Sequence, residues 1–155
     1  MAYERTQHGW PILIAFGVTA IAFLAMPAFQ PLDQATPRAV LVAGAAVAVV
    51  LGLLWSRMTI RVDGDRLRWS FGPGWPRFSL PLAEIESVEV TRTTFWQGVG
   101  IHRTRSGWVY NVAAGDAVLV TRTNGKQTLL GCDEPRRLKS AIEHAQGRRG
   151  EGTRR

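Results

Sequence analysis

Hydrophobic and polar positions change period twice along this chain, and each change marks a new kind of element. From Trp10 to Phe29, and again from Ala39 to Trp55, no residue is charged. Runs of that length carry a helix across a bilayer rather than through a globular core. The first third therefore reads as two transmembrane helices, spanning about residues 10–29 and 39–56. Trp10-Pro11 opens the first, since an indole suits the headgroup layer and a proline suits the first helical turn. The connection from Gln30 to Arg38 contains Pro31 and Pro37 and is short, so the pair forms an antiparallel hairpin whose ends emerge on one side. Within the second run Gly44, Ala48 and Gly52 recur every four residues, placing three small side chains on one face that a neighbouring backbone can approach. An alanine-rich helix also produces this spacing by chance, so both readings stand.

After Arg57 the period becomes two. Met58, Ile60 and Val62 alternate with Thr59, Arg61 and Asp63, and beyond a Gly64-Asp65 turn Leu67, Trp69 and Phe71 alternate with Arg66, Arg68 and Ser70. A two-residue turn sets Val62 opposite Leu67, Ile60 opposite Trp69 and Met58 opposite Phe71, all on one face. Further strands are expected near 77–80, 84–93, 96–103, 108–113, 117–122 and 127–130, divided by turn signals such as Ser106-Gly107, Gly115-Asp116 and Asn124-Gly125. The period then turns helical. Asp133 is a natural N-cap, Leu138, Ala141, Ile142 and Ala145 share one face, and Gly147 offers a C-cap. About seven antiparallel strands in a small barrel or two sheets, capped by a C-terminal helix, are predicted for 58–146. Residues 147–155 read as a disordered basic tail.

Composition changes this picture in two respects. The chain has 155 residues and a net charge of +7, and all its cations except Arg5 and Arg38 follow Trp55. Positive charge therefore flanks both outer ends of the helical hairpin, whereas the connection holds only Arg38 against Asp33; by the positive-inside rule both termini and the β domain are cytoplasmic. A cleaved signal peptide is the competing reading for the first run, but no small-x-small cleavage site follows it. The lone Cys132 excludes an intrachain disulfide framework and a cysteine zinc cluster.

The segments FGPGWPRFSLPLAEIESVEV, GVGI, SGWVYNVAAGDAVLV and NGKQTLLGCDEPRRLKSAIE, in that order, resemble the bacterial pleckstrin-homology-like (PH-like) domains of small membrane proteins with two spans. The resemblance covers residues 58 to about 145, and the two preceding runs match the same layout. It implies a PH-like fold on the cytoplasmic face of the inner membrane and supplies no catalytic residues. Arg61 with Arg66 and Arg68 resembles the basic pattern of lipid-binding PH domains. The tight Asp63-Gly64-Asp65 turn departs from it, placing two negative charges where those domains have a long phosphate-holding loop.

Candidate chemistry is sparse. Arg57, Arg61, Arg66 and Arg68, with Arg148 and Arg149 of the tail, are candidate contacts to anionic lipid headgroups; a solvated hairpin face is the plain alternative. Trp96, Trp108 and Tyr110 read first as core packing beside strand-bending glycines; with His102, Arg103 and Arg105 they are also the first candidate surface for a protein partner. Trp75, in a Gly-Pro turn, is placed to dip toward headgroups. His8, His102 and His144 are scattered, Cys132 has no nearby histidine, and neither a phosphate-binding loop nor a dinucleotide pattern is present. No catalytic residue, metal site or cofactor is assigned, and nucleic acid is not an expected partner. The sequence thus points to a membrane-anchored, non-enzymatic binding or scaffolding module. The alternative is a structural subunit packed through its helices, and an uncharacterised membrane enzyme comes last.

Overall fold

The polar residues before the first apolar run are a strand. In the computed structural model, which describes residues 3–29, 36–94 and 100–152 with side chains as far as 148, Tyr3–His8 forms β1 and pairs antiparallel with β2, Arg57–Asp63. Their ladder closes at His8 opposite Arg57, and the Gly9 amide then donates to the Ser56 carbonyl at 2.6 Å. Everything between those residues is an excursion from one sheet. Residues 3–8 thus pair into the β sheet, whereas residues 1–57 as a whole were expected to form the helical hairpin and the β domain only 58–146. Their sequence, YERTQH, lacks alternating apolar residues because an edge strand is held chiefly by backbone hydrogen bonds, which any side chain permits.

The excursion is helical. α1, Trp10–Ala25, starts with Pro11 in its first turn and runs into a 3₁₀ turn at Met26–Ala28; α2 is Arg38–Trp55. Both are long and apolar enough to cross a membrane, and the part of their connection that contains Asp33 lies outside the described residues. The small-residue face of α2 packs on α1. A Cβ added at Gly44 would lie 2.9 Å from the Phe23 ring, and one at Gly52 would lie 2.9 Å from Phe16 Cβ; Ala45 and Ala48 are buried between them against Ala20. Phe16, Ala20 and Phe23 are one face of α1 at i, i+4 and i+7, so the two faces mesh in antiparallel order. These contacts rank two substitutions. The Phe23 ring can swing aside, but Phe16 Cβ is fixed to its backbone, so Gly52→Leu is expected to destabilise the helix pair by about 1–3 kcal/mol and Gly44→Leu by less. Thermal unfolding in detergent checks this, and equal midpoints for the two variants would contradict it.

The hairpin of β2 with β3, Arg66–Phe71, has the register anticipated from alternation: Val62 faces Leu67, Ile60 faces Trp69 and Met58 faces Phe71. β4, Arg77–Pro81, completes a four-stranded meander in the order β1-β2-β3-β4. The second sheet contains β5 (Ile85–Thr93), β6 (Gly100–Arg103), β7 (Gly107–Asn111), β8 (Gly115–Arg122) and β9 (Gln127–Gly131), in the order β5-β8-β9-β7-β6. Nine strands are therefore described, more than the count of about seven: each of the eight segments named from the sequence holds one, and β1 is the unanticipated ninth. Not all are antiparallel, because β7 and β9 pair parallel from Gly107 opposite Gln127 to Tyr110 opposite Leu130. Alternation within a strand reveals which face it buries, not which neighbour it joins.

The inward faces of both sheets and the helix α3, Pro135–Gly152, enclose a core that includes Met58, Leu67, Phe71, Leu80, Val118, Val120 and Leu130. α3 contributes the anticipated face, with Leu138, Ile142 and Ala145 buried, and the Gln146 side-chain amide donates to the carbonyls of Leu82 and Ile85. Gly147 does not end the helix. An exposed helical glycine costs about 1 kcal/mol relative to alanine, too little to stop a helix whose backbone bonds continue beyond it. The stretch from 147 to 152, expected to be disordered, is accordingly helical.

The connection from β3 to β4 lies against the last turn of α2. Gly72 has φ +49°, its amide donates to the Arg57 carbonyl at 2.9 Å, and a Cβ there would stand 2.6 Å from the Leu54 carbonyl oxygen. Trp55 is half-buried and packs on the domain core. Strand pairing, turn and side chain together seat the β domain on the helix ends.

Candidate functional site

The outward face of the first sheet gathers most of the cationic residues singled out above. Because pairing and alternation fix each side chain's face, its cross-strand rows can be read directly: His8 and Arg57; then Thr6, Thr59, Ser70 and Arg77; then Glu4, Arg61, Arg68 and Ser79; then Asp63 and Arg66. Arg57, Arg61, Arg66, Arg68 and Arg77 line one open groove of about 850 Å³. Arg61 and Arg68 stand directly opposite each other, an arrangement that like charges disfavour. Each has a carboxylate beside it, with Glu4 2.6 Å from Arg61 and Asp63 3.7 Å from Arg68. Arg66 donates to the Ser79 hydroxyl at 3.1 Å. Among the described residues no carboxylate lies within ion-pair distance of Arg57 or Arg77.

Arg77 and Glu4 were missed from the sequence. Arg77 could have been found by drawing β4 onto β3, which sets it opposite Ser70. Glu4 could not, because β1 has no alternation to announce it. The tail residue Arg148 is on another surface, where it lines a groove of about 510 Å³ with Tyr3, Arg136 and His144. The side chain of Arg149 lies outside the described residues.

The aromatic candidate surface does not form one patch. Tyr110 is only 6% exposed and sits in the core, its ring 4.8 Å from Phe78 and 5.1 Å from Trp69. This corrects its assignment as a partner contact: as an inward position of β7 it lies beneath the first sheet. Trp108 stacks on Tyr110 at 6.3 Å but remains 46% exposed at the margin, opposite the exposed Arg103. His102 is paired with Val109 and so points to the other face of the sheet, where it lines a pocket of about 260 Å³ with Leu119 and Leu129, a pocket whose rim Trp108 also reaches. Arg105 is exposed in the turn between β6 and β7. Trp96 lies outside the described residues.

Among the described residues no three His, Cys, Asp or Glu side chains are grouped closely enough to hold a metal ion. Cys132 is buried, and its thiol is pushed up to about 12, chiefly by burial and then by the negative charge of Asp133. It is a protonated, packed side chain at neutral pH, unlike the exposed thiolates that act as nucleophiles. Burial likewise pushes the Tyr3 phenol up to about 12, with Cys132 and Glu134 adding to the effect. No protein-family model matches the chain, and a comparison with curated proteins gives no significant match.

Proposed function

We propose that this chain is a membrane-anchored, non-enzymatic binding and scaffolding module: α1 and α2 cross a bacterial inner membrane, and a PH-like β domain meets protein partners at the cytoplasmic surface. The observation that carries this reading is the insertion of two apolar helices between adjacent, paired strands of one sheet. Their outward side chains, among them Ile14, Val18, Ile21, Val40, Val47 and Leu53, are exposed. A continuous apolar surface of that extent is disfavoured in water and suited to lipid. Because β1 precedes the helices and β2 follows them, both ends of the hairpin belong to the basic domain, and the charge asymmetry makes that side cytoplasmic. Signal-peptide cleavage after the first run would strip β1, with its buried Gln7, from the sheet.

Support for the PH-like reading comes from the four-strand meander, the second antiparallel meander β5-β8-β9 and the closing helix. The alternative of a subunit assembled through Gly44, Ala48 and Gly52 loses its main feature, since α1 already occupies that face. Cysteine labelling in intact cells tests the topology, with Cys132 silent because it is buried. A membrane-impermeant maleimide is expected to label Asp33→Cys in intact cells and Arg103→Cys only after lysis. The reverse pattern would overturn the orientation.

A further inference from the structure

The groove on the first sheet is not uniform along its length, and the difference follows distance from the helix ends. Arg57 is the second residue after α2, and Arg77 begins β4 directly after the turn that packs on Leu54. Arg61 and Arg68 lie two rows beyond Arg57, about 13 Å at the usual strand rise, and one row, about 7 Å, beyond Arg77. A headgroup layer is about 5–7 Å thick on each side of a bilayer. Charge is divided in the same way, since the distal arginines have Glu4 and Asp63 beside them and the proximal ones have no such partner among the described residues. Arg77 is also held in place, because its Nε donates to the Gly74 carbonyl while the residue lines the groove. Two exposed indoles mark the same level. Trp75, at the tip of the turn, and Trp10, at the start of α1, are each 66% exposed, and indoles favour the headgroup layer.

We propose that the helix-proximal end of this groove, built by Arg57 and Arg77 with the hydroxyls of Thr59 and Ser70, holds the phosphate of an anionic phospholipid headgroup from the bilayer the helices cross. The site rests on the membrane-spanning reading above. Arg57 and Arg77 stand two strands apart and one row out of step, about 12 Å between their backbones. Their long side chains reach a headgroup from two sides, and the hydroxyls of Ser70 and Thr59 in the row of Arg77, that of Thr59 shared with Thr6 at 2.8 Å, line the floor beneath it. Arg61, Arg66 and Arg68 are solvated surface cations rather than headgroup ligands, which narrows the set expected from sequence. Arg77, which that set lacked, is a principal ligand.

The full chain in mild detergent, incubated with equal amounts of phosphatidylglycerol and phosphatidylcholine and read by native mass spectrometry, tests the site. Wild-type protein is expected to retain phosphatidylglycerol preferentially. R57Q/R77Q should lower that preference about twenty-five-fold, from roughly fivefold per arginine near an anionic surface, whereas R61Q/R68Q should change it less than twofold. All four positions are exposed, and unchanged thermal unfolding verifies folding. Equal losses in the two double variants, or none in R57Q/R77Q, would overturn the site. Displacement of the lipid by millimolar inorganic phosphate would instead assign the pocket to a free anion and overturn the lipid assignment. Reconstitution into lipid nanodiscs separates the two readings: a chain that does not enter them removes the membrane premise, while one that enters with R57Q/R77Q still preferring phosphatidylglycerol removes the site alone.

Discussion

A chain in which Trp10–Trp55 is replaced by Asn-Gly is expected to fold as a water-soluble domain, whereas a chain beginning at Met58 is expected to lose cooperative unfolding. The ends of the excursion already lie side by side, with His8 paired to Arg57 and the Gly9 amide bonded to the Ser56 carbonyl at 2.6 Å. A two-residue Asn-Gly turn is the connection that such adjacent antiparallel strands favour. The replacement removes the partly buried Ile12 and Trp55 from the margin of the core, a loss of about 1.5–3 kcal/mol for each that was fully covered. Starting at Met58 also removes β1. Its ladder spans six residue pairs, and with each backbone bond worth about 0.5–1.5 kcal/mol net, the deletion is comparable to the 5–15 kcal/mol that holds an ordinary domain together. It further exposes β2 as a long free edge with apolar alternation, a template for aggregation. Gel filtration with near-ultraviolet circular dichroism of the Trp69, Phe78 and Tyr110 cluster checks both forms. Sharp, coincident melting of the two would show that β1 is dispensable.

Gly107→Ala is expected to release the β6–β7 hairpin from the second sheet. A Cβ at this position would lie 1.7 Å from the Gln127 carbonyl oxygen and 2.6 Å from its carbon. Both are backbone atoms, so no rotamer change relieves the overlap, and β7 must withdraw from β9. Gly107 opposite Gln127 is also the first pair of the parallel ladder, and the turn before it is held by Thr104, whose amide donates to the Gly107 carbonyl at 2.7 Å. Withdrawal there puts the following pairs, Trp108 with Thr128 and Val109 with Leu129, out of reach. A loss of about 3 kcal/mol or more is expected, beyond the usual range for a surface alanine. For a domain of this size that lowers the melting temperature by about 10 °C or more. Hydrogen exchange at Val109 to Asn111 should accelerate while the buried face of α3, Leu138 and Ile142, stays protected. An unchanged melting temperature with unchanged exchange would mean that the close approach is not what holds the hairpin.

These two results bear on different kinds of legibility. Gly107 was visible in the sequence as a turn residue after Ser106. Its larger role, admitting a parallel neighbour, was not visible, because Gln127 is twenty positions away and nothing in either segment names the other. The headgroup candidates divide in the same way. Arg57, Arg61, Arg66 and Arg68 were legible from alternation after a long apolar run, but the separation of a charge-compensated distal pair from an uncompensated proximal pair needed Glu4, which arrives on β1, and Arg77, which arrives on β4. Tyr110, beside glycines, was open to both a core and a surface reading, and its register settles it in the core under Trp69 and Phe78.

What the sequence determined by itself was everything governed by short-range periodicity: two apolar helices, the β2–β3 register, and the α3 face of Leu138, Ile142 and Ala145. In each case a side chain's neighbours lie within a few residues, so hydrophobic spacing and a turn suffice to specify them. Only the tertiary structure decided that β1 joins β2 across both helices, that β7 lies parallel to β9, and that the arginine groove opens at the helix ends. Those pairings use backbone hydrogen bonds, which carry little side-chain signature, and they bring together segments whose separation along the chain leaves no periodic trace.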